Sequence, residues 1–194
     1  LVDEATRPVV LWFRRDLRIA DHAALFHALK AHTKVYCVFV FDTEILDALS
    51  RKDDRRVEFI WHSVKELDEE LRNSGGALLV RHGCALDEVP QLAQKLKVRA
   101  VYTNHDYEPQ AIARDQAVAA TLAENRIEFF SYKDQVIFEK DEVLTQAGRP
   151  FTVFTPYKNA WLKKLDAFFL KAYPVEKYLN HLAAAKNASS IPSL

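Results

Sequence analysis

The residues whose types and order suit chemistry are a group of arginines and carboxylates placed just after apolar runs. Arg14, Arg15, Asp16 and Arg18 follow directly on Val9 to Phe13; Asp42 closes a second run; Asp106 and Glu108, two apart, follow a third. Groups of mixed sign around one crevice suit a polar ligand with both donors and acceptors better than a bare phosphate. Arg15 is equipped to hold a phosphate or a polyhydroxy chain by charge-assisted hydrogen bonds. The alternative is architectural: Arg15 pairs with Asp106 or Glu108 and ties neighbouring loops together. Acid/base work by the carboxylate pair needs surroundings that shift one pKa, and the spacing supplies none. The sequence has no G-x-S-x-G, no G-x-G-x-x-G and no G-x-x-x-x-G-K-[ST], so it lacks the glycines that let backbone approach a pyrophosphate closely. No catalytic residue is assigned.

Metal ligation finds little support either. Cys37 and Cys84 stand far apart, with no C-x-x-C pair and no Cys/His cluster at zinc spacing, and read as reduced, buried, small apolar residues. His22, His27 and His32 recur at intervals of five on one expected helix. Steps of about 100° per residue place such positions about 140° apart, so they do not share a metal on one face.

The elements that must position these groups alternate along the chain. Residues 8–14 read as a strand, followed by a helix over 22–32 with Asp21 as its N-cap. Residues 34–42 are a near-continuous β-branched and aromatic run, the pattern of a strand covered on both faces. A short helical turn carries Ile45 and Leu46. Then Val57, Ile60, Trp61, Val64, Leu67 and Leu71 mark one long amphipathic helix stopped by Gly75 and Gly76, with Trp61 in the core. Strand 77–82, helix 86–96, strand 99–104, a helix opened by Pro109 and strand 127–132 complete the series.

Such alternation with short connections imposes parallel pairing and right-handed crossovers. The expected fold is therefore α/β: a Rossmann-like doubly wound five-stranded parallel sheet, order 3-2-1-4-5, with helices on both faces. In that order the arginines leave strand one beside the place where Asp106 and Glu108 leave strand four, at the switch point where such sheets bind ligands. Residues 1–132 form the core. Residues 133–182 complete it with a hairpin bending at Gly148 and Pro150, then a helix through Trp161, Leu165 and Phe169. Residues 183–194 begin a linker.

Composition sets the outer bounds. The chain has 194 residues, 49% apolar and 28% charged, the make-up of a globular protein, and 27 basic residues balance 27 acidic ones. No global field favours nucleic acid or an anionic membrane, so any contact with DNA needs a local patch. No apolar run approaches the ~20 residues that span a bilayer, and no signal-peptide profile opens the chain, so a cytoplasmic monomer is expected. The absence of Met reads as a piece of something longer.

Four motifs, in order, carry a resemblance: "LWFRRDLRIADHAAL", "FD…IL", "NHDYEP…ARD" and "GRPFTVFTPYKNAWLKKL". Together they resemble the N-terminal domain of the DNA photolyase and cryptochrome family, in its class I cyclobutane-dimer branch. The resemblance implies an antenna-chromophore-binding domain of a light-driven deoxyribodipyrimidine photolyase, a carbon–carbon lyase whose FAD and UV-damaged DNA are bound by a helical domain absent from this chain. Trp12, Trp61 and Trp161 then lie outside that domain's electron-transfer chain. A cryptochrome-like photoreceptor or a free-standing nucleotide-binding module is the alternative.

The resemblance also implies the site. Asn104, Asp106, Glu108, Pro109, Arg114 and Asp115 match the pattern of members carrying 8-hydroxy-5-deazaflavin, and FMN serves in some relatives. Methenyltetrahydrofolate-type members carry a carboxylate where this chain has Ala111. Arg15, Asp42, Asp106, Glu108 and Arg114 would line a flavin-like pocket, with Phe41, Ile45 and Leu46 completing its wall.

Overall fold

The structure, a computed structural model, describes residues 7–51, 53–184 and 191–192. Its sheet consists of β1 (Val9–Phe13), β2 (Val35–Asp42), β3 (Leu78–Gly83), β4 (Ala100–Asn104) and β5 (Glu128–Tyr132). All pairings are parallel and the order is β3-β2-β1-β4-β5, as expected. At the centre, Leu11 stands opposite Cys37 on one side and Tyr102 on the other.

β1 is apolar throughout because both of its faces are covered. Its side chains alternate, Val9, Leu11 and Phe13 to one face, Val10 and Trp12 to the other. On the first face pack α1 (Ala23–Ala31) and α3 (Arg55–Asn73), through Leu25, Ala28, Leu29, Val64, Leu67 and Leu71. On the second pack α4 (Ala85–Lys95) and α5 (Pro109–Glu124), through Val89, Leu92, Val118 and Leu122. Each buried leucine contributes roughly 1.5–3 kcal/mol of apolar transfer. The one-turn α2 (Thr43–Leu46) follows β2. α3 ends where Gly75 adopts φ +87 and Gly76 N–H closes back on Leu71 O at 2.8 Å. Trp61 lies at the margin of the first cluster and donates to Pro192 O.

The start of α1 departs from the local reading. Asp21 is exposed at φ +51, and its carboxylate accepts from Tyr173 N instead of capping the helix. The cap is His22, whose Nδ1 accepts from Leu25 N at 3.0 Å. The two preceding helical N–H groups go to distant side chains, Ala23 to Asp134 and Ala24 to Asn104, both at 2.9 Å. Because Nδ1 accepts, the ring proton sits on Nε2 and faces Asp16 Oδ2 at 2.9 Å. Asp16 also accepts from Arg14 N and Asn104 Nδ2. Burial pushes the Asp16 carboxyl up, but the bonds from His22, Arg14 N and Asn104 outweigh it and hold its pKa well below the usual carboxylate range. His27 stacks on Tyr132 and His32 bonds the Tyr102 hydroxyl, so the three histidines serve three separate local contacts.

The expected hairpin after β5 does not form a ladder. Lys140–Glu142 is a single 3-10 turn, and Thr145–Arg149 is a tight turn with Gly148 at φ +69. Side chains replace the ladder. Glu139 Oε2 accepts from His105 Nδ1 and Tyr107 Oη, both at 2.8 Å, and Glu142 accepts from Lys133 Nζ at 2.7 Å. α6 (Phe154–Lys164) follows, with none of its residues buried. A 3-10 segment, Val175–His181, then brings Leu182 beside Val35, where Ala183 N–H donates to Val35 O at 2.8 Å. Of the stretch expected as linker, residues 185–190 and 193–194 lie outside the described residues.

Asp16→Asn replaces an acceptor by an amide facing buried donors and is expected to lower unfolding free energy by roughly 2 kcal/mol, measured by urea denaturation. Since the Asp16 pKa is depressed on folding, its contribution is present above the unfolded value of about 4 and is lost as pH falls through the folded value. Wild-type stability should therefore fall more steeply below about pH 4 than that of the variant; parallel pH profiles would refute this role.

Candidate functional site

The carboxyl ends of β1, β2 and β4 deliver two groups of charged side chains. The inner group is built on Trp12, the last residue of β1 facing α4 and α5. Two guanidinium groups lie against its indole: the Arg14 and Arg114 Cζ atoms are 5.0 and 5.2 Å from the ring centroid. Asp115 Oδ1 bridges them, at 2.5 Å from Arg14 NH1 and 3.4 Å from Arg114 NH2. Arg14 also donates to Asn104 O, the last carbonyl of β4. Cation–π contact and a shared carboxylate thus keep two like charges side by side in a half-buried place.

Asp42, at the end of β2, completes this group. Its Oδ1 accepts from Glu44 N and Ala85 N, each at 3.2 Å, so one oxygen ties the starts of α2 and α4 together. Its Oδ2 lies 3.7 Å from Arg114 NH1 without a hydrogen bond. Among the described residues, Asp42 Oδ2 and Arg114 Nε are the buried side-chain polar atoms left without a partner. Buried polar atoms are nearly always satisfied, so an unpaired acceptor beside an unpaired donor needs a cause.

The outer group is Arg15, Asp106 and Glu108. Arg15 NH1 is 2.9 Å from Glu108 Oε1 and 3.4 Å from Asp106 Oδ1, the pairing that a loop-tying role requires. The Glu108 hydrogen bond raises the Arg15 pKa, with both carboxylates adding to it. The Arg15 and Glu108 side chains are 55% and 66% exposed, so their ion pair is solvated and contributes little to stability, whereas Asp106 beneath them is buried. The loop carrying them is clamped from below by Glu139, through His105 and Tyr107. Burial and the Glu139 hydrogen bond push the Tyr107 phenol up, and it stays a donor.

The remaining wall residues are dispersed. Phe41 is buried edge-to-face on Phe39 at 5.0 Å and belongs to the core. Leu46 packs on the first cluster, while Ile45 is more than half exposed. Donor atoms of Asp42, Glu44 and Cys84 fall within 4.8 Å of one another. That arrangement does not suit a cation: one Asp42 oxygen already serves two N–H groups, Arg114 stands beside the other, and burial pushes the Cys84 thiol up, away from the thiolate.

In the sequence Trp12 reads only as sheet core; an indole two residues before a strand-end arginine pair is the available signal. The Glu139 clamp carried no signal, since its partners lie on a different loop.

The chain is similar to known proteins in both sequence and structure. The family model described as DNA photolyase matches residues 9–178. The deoxyribodipyrimidine photo-lyase of a Synechococcus strain is 33% identical over 154 residues, covering 79% of this chain and 32% of that protein. Among solved structures, a class III photolyase from Agrobacterium tumefaciens superposes with TM-score 0.80 at 26% identity, covering 97% of this chain and 37% of its own. An archaeal photolyase from Sulfolobus tokodaii, described as carrying two FAD molecules and implying a novel light-harvesting cofactor, gives TM-score 0.70 at 33% identity, covering 82% and 35%. The chain spans about a third of the length of these relatives.

Asp115→Asn leaves Arg14 and Arg114 adjacent, largely buried and short of their shared anion. Loss of about 3 kcal/mol in unfolding free energy is expected, read from chemical denaturation, whereas Glu108→Gln on the exposed rim should change it by less than about 0.5 kcal/mol. Equal effects at the two positions would mean that the inner group is not held as described.

Proposed function

The chain belongs to the DNA photolyase family, and from that premise we propose that it is the antenna-chromophore-binding domain of a light-driven deoxyribodipyrimidine photolyase. In this reading residues 1–132 are the binding core, 133–182 complete it, and 183–194 lead toward an FAD-binding helical domain of the longer protein. Repair of cyclobutane pyrimidine dimers, and contact with UV-damaged DNA, belong to that longer protein. The chain itself is read as a cytoplasmic monomer. Among the described residues no helix is long and apolar enough to cross a membrane.

The observation that carries the antenna reading is the unpartnered pair Asp42 Oδ2 and Arg114 Nε. A carboxylate oxygen and a guanidinium N–H without hydrogen-bond partners, on side chains 3.7 Å apart, are complementary to a ring edge presenting an N–H next to a carbonyl, which 8-hydroxy-5-deazaflavin and FMN both have. Both atoms are buried, so a chromophore reaches them by separating the two side chains; Asp42 would then accept from the ring N–H, and Arg114, whose Cζ lies 5.2 Å from the Trp12 ring centroid, would donate to the carbonyl. Arg15, Asp106 and Glu108 form a polar rim suited to a polyhydroxy chain. Each unpaired buried group costs about 1–3 kcal/mol, so pairing both on binding is a sizeable gain.

When bound, such a chromophore supplies light absorption and energy transfer to FAD. That process asks the protein for distance and orientation, not for an acid or a base, and the strand ends and helix starts around Asp42 and Arg114 are placed to supply them. Two further facts support a flavin-like ring over a folate. The Sulfolobus relative carries a second FAD, and Ala111, buried in the first turn of α5, offers a folate no carboxylate.

Titration of the chain with 8-hydroxy-5-deazaflavin, FMN and methenyltetrahydrofolate, followed by absorbance and fluorescence anisotropy, tests this reading. A deazaflavin or FMN signal is expected, weakened at least about tenfold, or ~1.4 kcal/mol, by Asp42→Asn combined with Arg114→Gln. Circular dichroism would confirm that the double variant folds. Binding of folate alone, or flavin binding indifferent to both substitutions, overturns the assignment.

A further inference from the structure

At the opposite, amino-terminal edge of the sheet lies a second concave site, which the antenna reading does not use. A cleft of about 570 Å³ opens between the start of β1, the start of β2, the α4–β4 loop and the α5–β5 turn. That volume falls in the usual range for small-molecule pockets. Three of its lining residues are cationic, Arg7, Lys34 and Lys97, and none is acidic. In a chain whose total charge is balanced, this is a local excess.

The positions of these cations are set by different contacts. Arg7 donates through NH2 to Val98 O at 2.8 Å and through Nε to Lys97 O at 3.3 Å, which fixes its guanidinium on the α4–β4 loop. Lys97 occupies the turn after α4 at φ +53 and is exposed. Lys34 Nζ stands 5.6 Å from the centroid of the Tyr36 ring. Among the described residues neither lysine has a carboxylate partner, while the neighbouring Arg99 is paired with Glu128 at 3.2 Å.

A structural role for the charge is available, and its size is bounded. α4 and α5 both end at this edge, at Lys95 and Glu124. Each carboxyl end carries about half a negative charge, so together they offset about one of the three cations. The surplus of about two matches a phosphate monoester, which carries about 1.5 to 2 negative charges at neutral pH.

The rest of the cleft is not that of a simple anion site. Pro8, Leu96, Val98 and Ile127 give it apolar walls, and the half-buried Tyr36 ring packs on the second cluster with the Lys34 ammonium over it, so its ring meets a base where Lys34 turns toward a phosphate. Asn125 spends its amide on Thr121 O at 2.9 Å, leaving its carbonyl oxygen as an acceptor, and Gln94 adds a free-standing amide at the rim. Cations for a phosphate, a flat apolar face and hydrogen-bonding amides occur together in one cleft.

We propose that this amino-edge cleft is a binding site for a nucleoside phosphate, with Lys34 and Lys97 facing the phosphate and Tyr36 against the base. The ligand is either a free nucleotide or the 5′-phosphorylated terminal nucleotide of a strand, since both present the same chemistry. The site is independent of the Asp42–Arg114 group at the other edge, so each stands or falls alone.

Isothermal titration of the 194-residue chain with AMP, adenosine, inorganic phosphate and a 5′-phosphorylated single-stranded oligothymidylate tests the assignment at low and at moderate salt. AMP or the phosphorylated oligonucleotide should bind at least tenfold more tightly than adenosine or phosphate, and more weakly as salt rises. Binding of AMP assigns the free nucleotide; binding of the oligonucleotide without AMP assigns the strand terminus. Lys34→Gln with Lys97→Asn, the latter chosen because asparagine tolerates positive φ, should weaken binding at least tenfold. Tyr36→Leu should weaken AMP but not phosphate, and Arg51→Gln, on an exposed residue of neither site, should change neither. Both lysines are exposed, so the double variant is expected to fold normally. No binding of either nucleotide ligand, phosphate binding as tight as AMP, or affinity unaffected by the lysine substitutions overturns the proposal.

Discussion

β1 is buried on both faces, and the rest of the molecule is arranged around that constraint. A strand with α1 and α3 on one side and α4 and α5 on the other admits no charge along its length. The charged groups that follow it in sequence are therefore gathered within a few residues at its carboxyl edge, where each needs a partner. Asp16 finds His22 and Asn104, Arg14 finds Asp115 and the end of β4, and Arg15 reaches out to Glu108. Every one of these contacts joins the end of β1 to another element, so satisfying the charges also fixes the loops around the switch point.

The same edge separates two kinds of electrostatics. The inner group sits against the Trp12 indole, largely removed from water, where an unpaired acceptor and donor are expensive and a matching ligand is correspondingly favoured. In the outer group Arg15 and Glu108 are solvated over a buried Asp106, and an exposed ion pair of that kind competes only weakly with water or with ligand hydroxyls. A rigid polar interior with an adaptable rim suits the orientation of a planar ring bearing a flexible chain. The proposed light-harvesting role needs that kind of site and no reacting side chain.

The segment after β5 shows a second principle. Its sequence has turn residues and alternation but no partner strand, and its backbone is held by side-chain bonds: Glu139 to the loop after β4, and Glu142 to Lys133. Glu139 has its carboxyl pushed up by burial and pulled down further by the His105 and Tyr107 bonds, so it remains an anion that grips both. The loop bearing Asp106 and Glu108 thus owes its position to residues far from it in sequence.

The alternation of strands and helices, the order of the sheet and the edge at which charge collects are all legible in the amino-acid sequence. Those features depend on hydrophobic period and on short connections, which are local properties of the chain. Val9 to Phe13, the stripe of Val64, Leu67 and Leu71, and Pro109 at the start of α5 were all legible for that reason. Which charges meet depends on the packed fold. Asp21 looked like the cap of α1, yet Asn104 and Asp134, brought in from β4 and from beyond β5, satisfy that helix end in its place. Trp12 read as core and is also the platform for two arginines. Asp42 and Arg114 come from different layers, the sheet and a helix covering it, and their side chains stop 3.7 Å apart. Local propensity is set by neighbours within a turn or two, whereas the partner of a buried polar group is set by whichever side chain the packed layers bring within reach.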